Sequence, residues 1–278
     1  MTDSPSMATP DVDRLIGEVD RSAARLAATL SGLTEVECRA PSALAPWTRG
    51  QVLAHIAGGA DAYVWLLRLA RTGSAPEPRQ DAAALADTAE RTAALPVDAL
   101  ADRTRRALDL VAAEAREMPA AGWDVLVAAL AGWRHPAWYT LLRCLRELEH
   151  HHVDLDLGYG TADWPTSYVS WALDETFATL QAQGHPVARV EAVDLGRHWA
   201  PAPEGPSIAG PGHLLLGWLS GRTPATGLVS DRPTETLPPL PRWPQPPTPG
   251  WGRTDDVLGL ARPPFRPSTP AGRAPDQA

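Results

Sequence analysis

The stretch Leu145–Tyr159 reads LRELEHHHVDLDLGY, with three consecutive histidines set between acidic residues. Placed on a helix at about 100° per residue, Leu141, Leu145, Leu148, His152 and Leu155 share one apolar stripe. Leu142, Glu149 and Asp156 fall on one flank, and Cys144, Glu147 and His151 on the other. His150 is expected to point away from the core. Glu147 and His151 stand four residues apart, the spacing at which two side chains of one helix reach a common ion. Glu149 and His152 are three apart but diverge across the stripe. His151 with Glu147 beside it is therefore the candidate ligand pair.

A catalytic metal site usually needs three protein ligands and an open position. The best source of a third lies upstream. In Trp47–Val52, WTRGQV, Thr48 is an N-cap and Gln51 completes a capping box, with Trp47 and Val52 placed as a hydrophobic staple. The helix that starts there runs to about Arg71, and His55 sits at the edge of its apolar face. A carboxylate and two imidazoles suit zinc or another borderline divalent ion. Pattern alone leaves a plainer reading open. Glu-x-x-x-His also occurs on solvated helices, and a histidine at a helix edge is more often a hydrogen-bonded core residue. His152 reads as a satisfied core histidine or as an outer-shell partner of the metal. Cys144 reads as a small buried cysteine, with a thiolate ligand as the alternative. No His-Glu-x-x-His motif is present, which argues against a zinc protease.

Outward from these two helices, Pro10–Leu30 has helical apolar spacing, with Pro10 suited to the first helical position. Residues 31–47 read as a loop. Asp81–Glu117 is alanine-rich and helix-prone, divided by Pro96. The helix carrying the histidines is expected from about Pro136 to Gly158. Four long helices with short links point to a four-helix bundle over residues 1–162. A small α+β domain is expected over 163–241: a helix over Tyr168–Leu180, short strands in VARVEAVDL and PSIAG, and a short helix in PGHLLLGWLSGR ending at Gly221. Residues 242–278 are proline-rich and read as a disordered tail that could dock to a partner. No internal repeat stands out.

The chain has 278 residues, a formal net charge of −8 and no lysine. That balance argues against a nucleic-acid binder. Two distant cysteines give no disulfide framework, and no run matches a signal peptide or a membrane span. The expected setting is the cytoplasm.

Two segments, Trp47–Gly73 (WTRGQVLAHIAGGADAYVWLLRLARTG) and Leu145–Tyr159, resemble the mycothiol-dependent maleylpyruvate isomerase family of DinB-like metal-binding bundles. Val193–Arg222 is similar to that family's C-terminal domain. The resemblance implies a metal site of His55, Glu147 and His151, with zinc as the metal and mycothiol as thiol cofactor. It implies a catalytic and cofactor-binding role for Arg222, the last residue of WLSGR, and a weaker cofactor or substrate contact for Arg79. It implies an enzyme acting on a small unsaturated keto-diacid with a low-molecular-weight thiol. The alternatives are a mycothiol S-transferase acting on electrophiles, a hydrolase, and a non-enzymatic metal- or partner-binding module. The segment between Thr72 and Trp133 and the lead-in HPAWYTLLRC depart from the family pattern, which leaves the substrate open.

Overall fold

The computed structural model describes residues 10–130, 132–233 and 237–239. It is a helical N-terminal domain followed by a small α+β part. The tail expected from residue 242 lies outside the described residues.

Helix α1 spans Val12–Leu30. Asp11 caps it, its Oδ1 accepting the Arg14 N–H at 3.0 Å, so Pro10 precedes the cap rather than opening the helix. A short helix, α2 (Glu35–Arg39), occupies part of the segment read as loop, with its own capping box between Thr34 and Glu37. Five residues are too few to display a helical period. Helix α3 runs over Arg49–Thr72, opened by the anticipated box between Thr48 and Gln51 and closed by Gly73 at φ 72°. Helices α4 (Ala82–Ala93) and α5 (Val97–Arg116) follow on either side of Pro96. Strands β1 (Leu126–Ala128) and β2 (Arg134–Pro136) pair antiparallel, with Val127 opposite His135. Helix α6 spans Tyr139–Asp154, so Pro136 belongs to β2 rather than to the start of the helix.

The long helices α1, α3, α5 and α6 bury one shared core, with α1 and α3 each packed on both α5 and α6. Leu15, Val19 and Leu26 of α1 meet this core, as do Leu53, Ile56 and Leu67 of α3 and Leu141, Leu145 and Leu148 of α6.

The second part begins with α7 (Thr166–Ala182), followed by β3 (Arg189–Ala192), β4 (Arg197–Trp199) and β5 (Ser207–Gly210). Helix α8 (Gly212–Leu219) packs on α7, and β6 (Val229–Ser230) closes a sheet of order β4-β3-β5-β6, in which only β3 and β5 are parallel. This part reaches α6 through buried charge. Glu175 of α7 accepts the Tyr139 hydroxyl and pairs with Arg146.

His150 does not point to solvent, as the helical wheel suggests, but is 2% exposed. The face it occupies is covered by Trp164 and Tyr168, whose rings lie 5.0 and 5.9 Å from it. A wheel drawn for one helix cannot anticipate a neighbour supplied by a later segment.

Burial, with the nearby positive charge of Arg222 and Arg146, drives the His150 pKa well below its usual value. Burial and Arg143 lower His135 to about 3, and burial and Arg25 lower His152 to about 4. A histidine depressed in the folded state contributes its full share of stability above its unfolded pKa and loses it as pH falls. His135 and His152 each lose roughly 2 kcal/mol between pH 7 and pH 5, and His151, shifted the other way, returns about 1 kcal/mol. Differential scanning calorimetry should find the Tm roughly 6–12 °C lower at pH 5 than at pH 7. An unchanged Tm would mean that these imidazoles are not buried neutral.

Candidate metal centre

The two ligand-bearing helices are fixed end to end by one arginine. Arg49, the first residue of α3, donates through Nε to the Leu155 carbonyl at 2.6 Å and through Nη2 to the Asp156 carbonyl at 3.1 Å. These carbonyls lie just past the end of α6, where a helix leaves acceptors unpaired and favours positive charge. Asp156 adopts φ 53°, which turns the chain away from the helix. With the start of α3 held at the end of α6, the two helices run antiparallel. The second turn of α3 then lies beside the last turns of α6, and His55 faces Glu147 and His151.

His55 Nε2 lies 3.2 Å from Glu147 Oε2, and His151 Nε2 lies 3.0 Å from the same oxygen. The two imidazoles meet edge to face with centroids 4.8 Å apart, and Trp47 walls the far side of His55 at 5.2 Å. All three donor atoms fall within 4.8 Å of one another. Ligands at about 2.1 Å from a tetrahedral ion stand roughly 3.4 Å apart, so a small closure or opening of this set suffices to bind one. Glu147 Oε2 is withdrawn from water yet accepts no hydrogen bond of normal geometry. A buried carboxylate oxygen is costly in that state, and a cation between the three donors would relieve it. The donor chemistry therefore fits a divalent metal.

Burial pushes the Glu147 carboxyl up, but the close His151 and His55 imidazoles outweigh it and hold it well below the usual carboxylate range. Burial pulls His151 down, yet Asp154 and Glu147 prevail and raise its pKa to about 9.

Asp154 is the residue sequence reading missed. Its Oδ2 lies 2.8 Å from His151 Nδ1, leaving Nε2 to face the ligand cluster, as in carboxylate–histidine–metal arrangements. The same oxygen accepts from Arg222 Nη2 at 2.6 Å, and Arg222 Nη1 donates to the Ser220 carbonyl at 3.0 Å. The available signal was Asp154 three residues after His151, on the same face of the helix. Arg222 is thus connected to the cluster through Asp154. Gly217 permits the approach. A Cβ there would lie 2.6 Å from Thr223 Oγ1 and 3.1 Å from Thr161 Cγ2. Without one, α8 seats against the turn that follows α6.

Arg79 is not gathered into this cluster. It lies over the Trp65 ring at 4.1 Å and donates to the Ala128 carbonyl at 2.5 Å. Cys144 is buried, and burial together with Glu147 pushes its thiol pKa up; it is not among the three grouped donors. His152 binds Thr29 Oγ1 at 2.7 Å and stacks on Tyr159 at 3.8 Å, a core role on the opposite flank.

Residues 19–156 match the family model described as the mycothiol maleylpyruvate isomerase N-terminal domain. Among solved structures, the chain resembles the mycothiol-dependent maleylpyruvate isomerase at TM-score 0.72 and a histidine-to-alanine mutant of that enzyme at 0.73. Each is 23% identical, over 84% of this chain and 98% of the other, so the likeness is one of fold. No curated protein sequence matches the chain. No helix among the described residues is long and apolar enough to cross a membrane.

Elemental analysis of the purified protein should find about one zinc per chain, lost in His55→Ala, Glu147→Ala and His151→Ala. Asp154→Asn should keep the fold but weaken zinc binding roughly 10- to 100-fold. Because ligation displaces the His151 proton, affinity should rise about tenfold per pH unit up to about pH 9. Chelator competition at several pH values measures both effects, and a pH-independent affinity would contradict the protonated His151.

Proposed function

Through residues 19–156 the chain belongs to the mycothiol maleylpyruvate isomerase N-terminal domain family, and from that premise we propose a metal- and thiol-dependent isomerase. The substrate class is a small unsaturated keto-diacid, and the change is from cis to trans. The observation that carries this reading is the convergence of His55, Glu147 and His151 on one partly open point, backed by Asp154 and Arg222. When bound, the metal lowers the pKa of a neighbouring thiol, and the thiol supplies a nucleophile that adds to the double bond and leaves after rotation, with no net change in electrons or protons.

The chain's own residues do the holding. His55, Glu147 and His151 fix the metal. Asp154 keeps the hydrogen of His151 on Nδ1, so that Nε2 remains the donor atom. Arg222, with a side chain 11% exposed, fastens Asp154 and acts as a positioning residue. Its fixed positive charge also favours negative charge that develops on a substrate oxygen nearby. Trp47 narrows the approach to His55 and limits water there.

Incubation of the zinc-loaded protein with maleylpyruvate should yield the trans isomer only when mycothiol is added, with the thiol recovered unchanged. Consumption of thiol into a stable adduct would identify a transferase instead. Turnover without thiol would identify a hydrolytic or other reaction. Arg222→Gln should lower kcat/KM by roughly 10- to 100-fold with the zinc content retained, and Arg222→Lys should recover only part of it because lysine lacks the planar fork.

A further inference from the structure

Along α6 from Tyr139 to His152 only Arg143, Glu147 and His151 escape full burial. They are spaced by four residues and form one exposed stripe on an otherwise enclosed helix. Glu147 and His151 belong to the metal centre. Arg143 stands one turn further on, about 6 Å along the axis, and the metal centre has no use for it.

Its surroundings are unusual for a guanidinium. Arg143 lies over the rings of Tyr63 at 5.1 Å and Trp133 at 4.8 Å. Its Nη1 is 3.2 Å from His135 Nε2. His135 Nδ1 lies 2.8 Å from the Pro136 carbonyl oxygen, which can only accept, so Nδ1 carries the hydrogen and Nε2 accepts from Arg143. Arg79 is anchored on the same β1–β2 hairpin, through Ala128. The half-buried Arg79 is lowered in pKa first by burial and then by the positive charge of Arg143, so the two cations sense each other.

Elsewhere, guanidiniums drawn into the interior meet carboxylates: Arg25 meets Glu149, Arg146 meets Glu175 and Arg222 meets Asp154. Among the described residues, neither Arg143 nor Arg79 forms an ion pair. A guanidinium held by rings and a neutral acceptor, without a carboxylate and one helical turn from the candidate metal centre, makes a prepared place for an anion.

We propose that Arg143 is the specificity-determining subsite for one carboxylate of a small dicarboxylate whose other end lies at His55, Glu147 and His151. This rests on reading that cluster as the reacting end. The tyrosine and tryptophan faces hold the Arg143 fork flat, and neutral His135 fixes one edge, leaving its other donors for a carboxylate.

The test uses succinate, a four-carbon dicarboxylate that cannot isomerise, titrated by calorimetry into the full chain at fixed ionic strength. Zinc-loaded wild type should bind it, and Arg143→Gln should bind about tenfold or more weakly. Arg143→Lys should fall between them. Metal-depleted His55→Ala should still bind succinate, and should lose that binding when Arg143→Gln is added. That last arm separates the two ideas, because a protein that never holds metal would still show Arg143-dependent binding. Equal affinity in wild type and Arg143→Gln, or no binding by wild type at millimolar succinate, overturns the subsite. Should circular dichroism find Arg143→Gln unfolded, Arg143→Lys decides, and affinity equal to wild type overturns the proposal.

Discussion

Helix α6 is enclosed on nearly every side while carrying polar side chains around its whole circumference, and the rest of the structure answers that constraint. Arg146, Glu149, His150, His152 and Asp154 are all buried. None can be left without a partner, since an unpaired buried ion or imidazole costs several kcal/mol. Their partners come from α1, from α7 and from the segments that follow α6 and α8. Glu149 accepts from Ser22 and Arg25 of α1 and from Tyr159 beyond the end of α6. Arg146 takes Glu175 of α7, and Asp154 takes Arg222 after α8. Helix α6 thereby has one rotation about its axis in which all these demands are met. That rotation leaves Arg143, Glu147 and His151 facing the gap beside α3. The accuracy of the candidate site follows from the satisfaction of the residues that are not in it.

The same logic explains what the sequence disclosed and what it withheld. The capping box of Thr48 and Gln51 is a contact between residues three apart, and such a contact can be read without knowing the fold. Glu147 and His151 share a helix face, so their grouping needs only the helical period. His55 required one further step, that its helix lies against α6, which the expected four-helix bundle allows and the resemblance also implies. Asp154 was harder. It stands three residues from His151, but its second partner, Arg222, is 68 residues away and is brought close only by the seating of α8. His150 was misplaced for a related reason, because its cover of Trp164 and Tyr168 belongs to the segment that follows α6. The β1–β2 hairpin escaped notice since strands of three residues are too short for an alternating pattern to emerge.

That hairpin has consequences beyond its size. It lies between α5 and α6. It supplies the Ala128 carbonyl that holds Arg79 and the His135 ring that holds Arg143. The candidate metal ligands are carried by long helices whose spacing is set by core packing. The proposed carboxylate subsite is instead positioned by a short hairpin, itself anchored in the core by Val127. This division is common where a scaffold keeps one chemistry and varies its substrates.

Charge ties the candidate metal centre to Arg143. In the metal-free protein the negative charges of Glu147 and Asp154 are matched by protonated His151 and by Arg222, so these four groups sum to zero. A divalent ion that displaces the His151 proton leaves the same cluster with one excess positive charge. Arg143 adds one more a turn away, in a chain whose formal net charge is −8. A locally cationic patch in an acidic protein concentrates anions at one place and disfavours them over the rest of the surface. A thiolate and a dicarboxylate are both anions and would repel one another in water. On the proposed reading, bringing them together calls for concentrated positive charge, which a metal at His55, Glu147 and His151 and the guanidinium of Arg143 would supply side by side.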